Sequence, residues 1–289
     1  MNRDICKNWT QWLMETRFSF LTPEMKEQTM NWLSLVRDNV LFRANIKPDQ
    51  TIIDIGTGTG LLAFKALEQL NGTGKIIFSD KFKDCLDSCE KFLKEQGVTQ
   101  GYEMLQCPAE HIPLPDNSVD TAMMRSVLVH IVDKQPAINE IYRILKKGGH
   151  FCCFEPIIRS NTRYWELTEP SEIRNYEEFK KAENDFMTNK DDSLCNFDEN
   201  TLAQNFEKAG FSDGTVDADI IPSTYIANAK MVEQWFVAPP APDKPTIKER
   251  FLKYFDEETV NNYIEDVKKA LDGKEISVCT RSVYVNVIK

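Results

Sequence analysis

Three glycines with the spacing G-x-G-x-G, at positions 56, 58 and 60, come directly after the apolar run 51–55 and directly before a helical pattern. Glycine permits positive φ angles and lets a ligand approach the backbone closely, and a helix N-terminus offers unpaired N–H groups. We therefore expect a polar or anionic group of a ligand to lie on this turn. The glycines alone are weak evidence, because a tight strand-to-helix turn also requires glycine for steric reasons.

A carboxylate follows at the end of the next apolar run. Asp80 closes the run 75–79 and lies 20 residues after Gly60. At the carboxyl edge of a parallel sheet, an acidic side chain in this position can accept hydrogen bonds from both hydroxyls of an adenosine ribose. The alternative is a structural role for Asp80 as the N-cap of a helix at 82–96.

The surrounding pattern supplies a sheet to position these residues. Short apolar runs alternate with helical stretches, which is typical of βαβ units and a doubly wound parallel sheet. The predicted strands are 51–55, 75–79, 102–106, 119–124, 150–155, 214–221 and 278–288. The predicted helices are 59–70, 82–96, 133–146 and 199–209, with a further helical region at 224–270 around a proline-rich hinge.

The chain divides into a helical N-terminal segment, 1–45, and a main domain, 46–289. Trp9, Phe18, Phe20 and Trp32 belong to a helical apolar pattern that is interrupted at residues 22–23. This segment is either a helix pair that covers the core or a lid over an active site. We expect the interruptions at about 157–198 and 222–277 to be insertions into the main domain. They would form a cap on the side of the site where the acceptor substrate binds.

Composition narrows the function classes. The chain has 35 basic and 45 acidic residues, a net charge of −10, which opposes binding to nucleic acid or to an anionic membrane surface. Eight cysteines without a C-x-x-C pair, and the lack of a signal-peptide pattern or a bilayer-length apolar run, predict a cytoplasmic protein with reduced thiols. The sequence gives no indication of the oligomeric state.

Two further motifs complete a recognisable set. Residues 107–120, CPAEHIPLPDNSVD, contain an A-E dipeptide, a P-L-P-D turn and a V-D strand start, and residues 141–149 read IYRILKKGG. Together with the glycine turn, which is preceded by Asp54, and with Asp80, these four ordered motifs across 51–156 resemble the class I S-adenosylmethionine-dependent methyltransferases of the small-molecule type. Dinucleotide-binding folds usually carry G-x-G-x-x-G instead.

The resemblance implies a fold, a cofactor and a set of binding residues. The fold is α/β and Rossmann-like, a doubly wound, seven-stranded, mostly parallel sheet with an antiparallel last strand. The cofactor is S-adenosylmethionine, with S-adenosylhomocysteine as product, and no metal is required. The implied cofactor-binding residues are Asp54, Gly56, Thr57, Gly58, Gly60, Asp80, Lys81, Phe82, Pro108, Ala109, Glu110 and Arg125.

Two of these positions depart from the family pattern. Pro108 stands where an Asp commonly meets the adenine amino group, and Lys81 stands where an apolar residue usually stacks on the ring. Phe82 is the candidate for the missing apolar face.

Methyl transfer from a sulfonium is an in-line displacement, so the enzyme has to position the acceptor and, where necessary, remove a proton. His130 and Arg125 follow the fourth predicted strand and are the candidate catalytic residues. His130 is either a general base or a positioning residue. Glu155 and Pro156, after the fifth strand, are placed to touch the acceptor.

The predicted function is transfer of a methyl group from S-adenosylmethionine to an oxygen, nitrogen or carbon atom of a small molecule. The alternatives are a peptide or protein methyltransferase, a cofactor-binding regulatory module without catalysis, and a nicotinamide-linked oxidoreductase. Residues 166–199 hold 11 acidic and 4 basic side chains, which form either a solvated face or a surface that favours a cationic acceptor.

Overall fold

The computed structural model describes residues 5–15, 23–240 and 244–289. Seven strands form one sheet in the order β3-β2-β1-β4-β5-β7-β6. They are β1 (Thr51–Ile55), β2 (Lys75–Asp80), β3 (Tyr102–Gln106), β4 (Val119–Arg125), β5 (Leu145–Pro156), β6 (Asp213–Ile226) and β7 (Glu275–Ile288). The predicted Rossmann-like fold is confirmed.

The strands β1 to β5 run parallel, with β1 between β2 and β4. Ile53 of β1 is opposite Ile77 of β2 and Ala122 of β4, and all three are buried. Such strands are apolar because helices cover both faces of a parallel sheet. Their carboxyl ends share one edge, and this edge carries the glycine turn and Asp80.

The last strand runs in the opposite direction, as predicted. Lys289, directly after β7, donates its N–H to the carbonyl of Gly149 in β5 at 3.0 Å and accepts from the N–H of Gly148 at 2.8 Å. These two bonds connect the end of β7 to the start of β5, as expected for strands that run in opposite directions.

The helices that accompany these strands follow in chain order. They are α1 (Ile5–Glu15), α2 (Pro23–Ala44), α3 (Leu61–Leu70), α4 (Lys83–Glu95), α5 (Gln135–Ile144), α6 (Tyr176–Met187), α7 (Glu199–Ala209), α8 (Ala229–Val237), α9 (Ile247–Phe251) and α10 (Glu257–Leu271). The predictions 59–70, 82–96 and 199–209 are confirmed to within two residues.

Several predicted boundaries were wrong, among them the start of the fifth strand, which was predicted at 150 and lies at Leu145. The helix predicted at 133–146 ends at Ile144, because Leu145 is extended and already begins β5. Lys146 there forms an ion pair with Asp120 at 2.8 Å instead of closing a helix. The strand predicted at 214–221 continues to Ile226, and the helical region expected from 224 begins only at Ala229. The stretch 157–198 contains α6, which the sequence analysis did not predict.

The chain forms two compact units, and the first holds the sheet edge with the glycine turn. It comprises the described residues up to Glu155 together with 199–218 and 283–289. Within it, α1 and α2 belong to the same hydrophobic core as α3 and α4, and the Trp9 ring lies 6.4 Å from that of Phe64. Phe18, Phe20 and Thr22 lie outside the described residues, and the lid function of 1–45 stays a prediction.

The second unit comprises Pro156–Asp198 and Asp219–Ser282. Its core is aromatic: Phe179 of α6 stacks on Tyr263 of α10 with ring centroids 3.8 Å apart, and Phe251 of α9 contacts both rings edge-on. The two predicted insertions, 157–198 and 222–277, overlap this unit. That they form an acceptor-side cap remains a prediction.

Two further observations concern the described chain as a whole. Among the described residues, no helix combines the length and the apolarity that crossing a bilayer requires. All eight cysteines are free thiols.

Candidate functional site

The three glycines of the turn all have positive φ angles, but they differ in what surrounds them. A Cβ on Gly56 would lie 2.4 Å from a methyl group of Val127, and one on Gly60 would lie 2.4 Å from the ring of Phe64. A Cβ on Gly58 would meet, among the described residues, only the carbonyl oxygen of Gly56 at 4.0 Å. Gly56 and Gly60 are therefore required by packing, whereas the backbone of Gly58 faces open space that a ligand can approach.

Asp54 holds the turn from inside. Its side chain is only 2% exposed, and its Oδ2 accepts hydrogen bonds from the hydroxyl of Thr57 at 2.8 Å and from the N–H of Ala63 at 3.2 Å. Burial raises the pKa of Asp54 to about 7. Asp54 and Thr57 thus fix the shape of the turn, and direct contact of either side chain with a cofactor stays a prediction.

Asp80 connects the two turns at the carboxyl ends of β1 and β2. Its Oδ2 accepts from the N–H of Gly58 and its Oδ1 accepts from the N–H of Phe82, both at 2.9 Å. The N-cap of α4 is Phe82, so the N-cap interpretation of Asp80 was wrong. Each carboxylate oxygen can accept two hydrogen bonds, so one acceptor position remains on each oxygen. Two acceptor positions on one carboxylate fit the two hydroxyls of a ribose.

The segment after β3 lies beside Asp80, because the N–H of Cys107 donates to the Asp80 carbonyl at 3.1 Å. Within this segment Ala109 is buried, while Pro108 and Glu110 are exposed. On the other side of Asp80, the Phe82 ring is 56% exposed and the Lys81 ammonium lies 4.7 Å from its centroid. Phe82 therefore presents an exposed apolar ring two residues after Asp80, and its contact with an adenine ring stays a prediction.

The segment after β4 carries both candidate catalytic residues. Arg125 ends β4, half-buried, with its guanidinium 5.3 Å from the centre of the Trp32 ring of α2. His130 ends a short 3₁₀-helix, Leu128–His130, and is also half-buried. The structure places both residues at the edge of the sheet that holds the glycine turn.

Glu155 determines the conformation of this segment. Its Oε1 accepts from the N–H groups of Val127 and Leu128 at 2.9 and 3.0 Å, and its Oε2 accepts from that of Val129 at 3.1 Å. The side chain is 0% exposed, so the expectation that Glu155 touches the acceptor was wrong. Burial raises the pKa of Glu155 to about 7, although the three amides favour its charged form.

Two contacts to the turn were missed from the sequence. The indole Nε1 of Trp9 donates to the carbonyl of Thr59 at 2.6 Å, and the thiol of Cys89 in α4 donates to the carbonyl of Gly58 at 3.4 Å. The sequence analysis placed Trp9 in a helical apolar pattern and gave Cys89 no part beyond its position in the predicted helix 82–96. No spacing rule could have indicated these bonds, because they depend on how α1 and α4 pack.

Comparison with known proteins finds that the chain is similar to methyltransferases. A family described as "Methyltransferase domain" matches residues 46–217. The ubiquinone/menaquinone biosynthesis C-methyltransferase UbiE of Xanthomonas oryzae pv. oryzae is 33% identical over 106 residues, which are 37% of this chain and 42% of that protein. The chain thus spans less than half the length of this relative.

Two solved structures have the same fold. The YcgJ protein of Bacillus subtilis superposes with a TM-score of 0.53 at 19% identity, covering 89% of this chain and 97% of that one. Geranyl diphosphate C-methyltransferase from Streptomyces coelicolor A3(2), solved with Mg²⁺, geranyl diphosphate and S-adenosyl-L-homocysteine, gives 0.51 at 12% identity, covering 88% and 78%.

The glycine turn yields a prediction that separates packing from binding. We expect Gly60→Ala to lower the free energy of unfolding strongly, because its Cβ would overlap the Phe64 ring. Gly58→Ala should cost only about 1 kcal/mol from its positive φ angle, but it should weaken binding of S-adenosylhomocysteine. Urea unfolding and calorimetry of both variants check this. Equal losses of stability in the two variants would contradict the assignment.

Glu155 yields a prediction about pH. The folded protein binds this proton more tightly than the unfolded chain does, since the pKa rises from 4.5 to about 7. The stabilising contribution is therefore complete below about pH 4.5 and is lost as pH rises to about 7; Asp54 acts in the same direction. In Glu155→Gln the unfolding free energy should fall less steeply over this range, by up to about 1.4 kcal/mol per pH unit. The exposed Glu207→Gln is the control, and an unchanged slope in Glu155→Gln would refute this role.

Proposed function

Because the chain belongs to the methyltransferase domain family and is an S-adenosylmethionine-dependent methyltransferase of class I, we propose that it methylates a small molecule. The main support for binding of the methyl donor is the arrangement of Gly58 and Asp80. The backbone of Gly58 is open to a ligand, and the neighbouring Asp80 carboxylate can accept one more hydrogen bond on each oxygen. A nicotinamide-linked oxidoreductase is excluded by the family.

The chemical class of the acceptor is inferred from the names of the relatives. The name of the Xanthomonas relative describes transfer to carbon in quinone biosynthesis, and the Streptomyces structure holds geranyl diphosphate, which is also a small molecule. These names favour a small acceptor over a peptide. We propose an acceptor atom among oxygen, nitrogen and carbon, with carbon supported by these two names. Free thiols at all eight cysteines support action in a reducing compartment such as the cytoplasm.

The residues at the sheet edge have separate parts in this proposal. S-adenosylmethionine supplies, when bound, a methyl group on a sulfonium. Asp80 and the backbone of Gly58 hold the nucleoside, with Phe82, Ala109 and the neighbouring Pro108, Glu110 and Lys81 on the adenine side. Glu155 fixes the backbone of residues 127–129 through three amides. That segment sets the position of His130, whose imidazole nitrogen can take a proton from an oxygen or nitrogen acceptor.

Donor binding tests the proposal first. Asp80→Ala should weaken binding of S-adenosylmethionine and S-adenosylhomocysteine by about 1.5 to 3 kcal/mol, because charge-assisted bonds to the ribose are lost. Isothermal calorimetry measures this, with Asp87→Ala of α4, an exposed carboxylate, as the matched control. Circular dichroism checks the fold, since Asp80 also binds two amides. Unchanged affinity in Asp80→Ala would remove the ribose assignment.

Turnover then separates the remaining alternatives. The wild-type protein is incubated with S-adenosylmethionine and a metabolite extract, and mass spectrometry looks for products that gain one methyl group. A methylated metabolite supports the proposal. Methylated peptides alone, from a parallel peptide library, would indicate a protein methyltransferase. Donor binding with no product from either pool would indicate a regulatory module without catalysis.

The part of His130 is tested by kinetics once an acceptor is known. If His130 is a general base, His130→Asn should lower kcat by about 100-fold or more without changing donor affinity. The variant should also lose the rise of kcat/KM with pH that reports deprotonation of the base. His111→Asn, an exposed histidine in the segment after β3, is the control. A raised acceptor KM with nearly unchanged kcat would show a positioning residue instead.

A further inference from the structure

A cavity of about 250 Å³ lies inside the second unit. Its wall includes Tyr164, Glu183, Met187, Leu194, Trp235 and Arg250. The volume suits a molecule of small-metabolite size. Most of this wall is apolar or aromatic, so the few charged groups in it determine which ligand it can accept.

Glu183 of α6 is the group that requires an explanation. The residue is 0% exposed, and its Oε1 accepts from the N–H of Tyr164 at 3.2 Å. Its Oε2 is buried and makes no hydrogen bond to any described residue, and the N–H of Trp165 acts on the carboxyl only from outside hydrogen-bonding geometry. An unsatisfied carboxylate oxygen in an aromatic interior is destabilising, and native proteins rarely keep one without a partner. A ligand with a hydrogen-bond donor would supply that partner.

Among the described residues, no cation lies within ion-pair distance of Glu183, although the charge of Arg163 acts on it from farther away. Arg250 lines the same wall, but its guanidinium forms an ion pair with Asp192. Arg163 and Glu166 both act on Glu183 electrostatically, in opposite directions. When it is ionised, Glu183 is therefore a buried carboxylate without an ion-pair partner among the described residues. Burial raises the pKa of this carboxyl to about 7, while the amides of Tyr164 and Trp165 favour its charged form, and a bound cation would favour it further.

Aromatic rings line the same space. Tyr164 stacks on Trp235 with centroids 6.0 Å apart, and it lies 4.7 Å from Phe236. Faces of tyrosine and tryptophan attract cations and also cover apolar ligand surface. A carboxylate next to such rings is the combination that recognises an amine attached to an apolar body.

We propose that this cavity binds a small molecule that carries a protonated amine, with the ammonium group donating to Oε2 of Glu183 and the apolar body against Tyr164 and Trp235. The bond from Tyr164 to Oε1 gives Glu183 a structural part as well, at the start of the 3₁₀-helix Tyr164–Leu167. That part uses only one oxygen. The proposal goes beyond the proposed function, because binding at this cavity does not depend on methyl transfer.

The experiment uses the full chain at pH 8 and two probes of equal shape, 2-phenylethylamine and 2-phenylethanol. Calorimetry should show the amine binding the wild type about tenfold or more tightly than the alcohol, since hydrogen bonds to charged groups contribute more than neutral ones. Glu183→Gln should lose about tenfold or more of the amine affinity. Glu178→Gln, which removes the same charge from an exposed position of α6, should bind as the wild type does.

Two results would overturn the proposal: equal affinity of the wild type for amine and alcohol, or unchanged amine affinity in Glu183→Gln. The comparison of the two probes on the wild type alone decides the matter if Glu183→Gln does not fold. Mass spectrometry after addition of S-adenosylmethionine then identifies the ligand's part. A methylated amine shows that this ligand class is also an acceptor, while support for the site comes from the amine affinity and its loss in Glu183→Gln. Failure of methyl transfer is thus distinguishable from failure of binding.

Discussion

One carboxylate, that of Asp80, connects the turns at the carboxyl edge of the sheet. Asp80 accepts one amide from the turn after β1 and one from the turn after β2, so the two turns cannot move apart without breaking a charge-assisted hydrogen bond. The backbone carbonyl of the same residue holds the segment after β3. Three successive strand ends therefore meet at a single residue, and the open side of Gly58 is presented next to it.

Two other buried acidic side chains of the first unit also fix the backbone through hydrogen bonds. Asp54 holds the glycine turn through Thr57 and Ala63, and Glu155 holds the segment after β4 through three amides. In both cases the carboxylate takes up N–H groups that a turn or a helix start would otherwise leave unpaired. Each acid keeps an elevated pKa because burial outweighs these bonds. The free-energy cost of burying these two carboxylates thus falls at the two segments whose backbone position they fix.

Sequence patterns predicted most of the sheet. The strands from β1 to β4 were predicted to within one residue, because parallel strands buried on both faces are continuous apolar runs. The end of α5 and the start of β5 were misplaced, since Lys146 and Lys147 also suit a helix C-terminus and only the pairing of Lys146 with Asp120 reveals a strand. The part of Glu155 could not be predicted, because a strand-end acid can point toward a ligand or toward amides. Burial of Glu183 could not be predicted either, because it is one of eleven acidic residues in the segment 166–199, whose composition is typical of a solvated surface.

The bond from Trp9 to the carbonyl of Thr59 spans 50 positions of the chain. An indole that bonds to the glycine turn is an intrinsic fluorophore at the edge of the donor site, so its emission should respond to changes in the turn without any attached label. The same bond means that shortening the chain at its beginning does more than uncover apolar surface. Removal of α1 leaves the carbonyl of Thr59 without its donor, so a deletion far away in sequence acts directly on the backbone of the glycine turn.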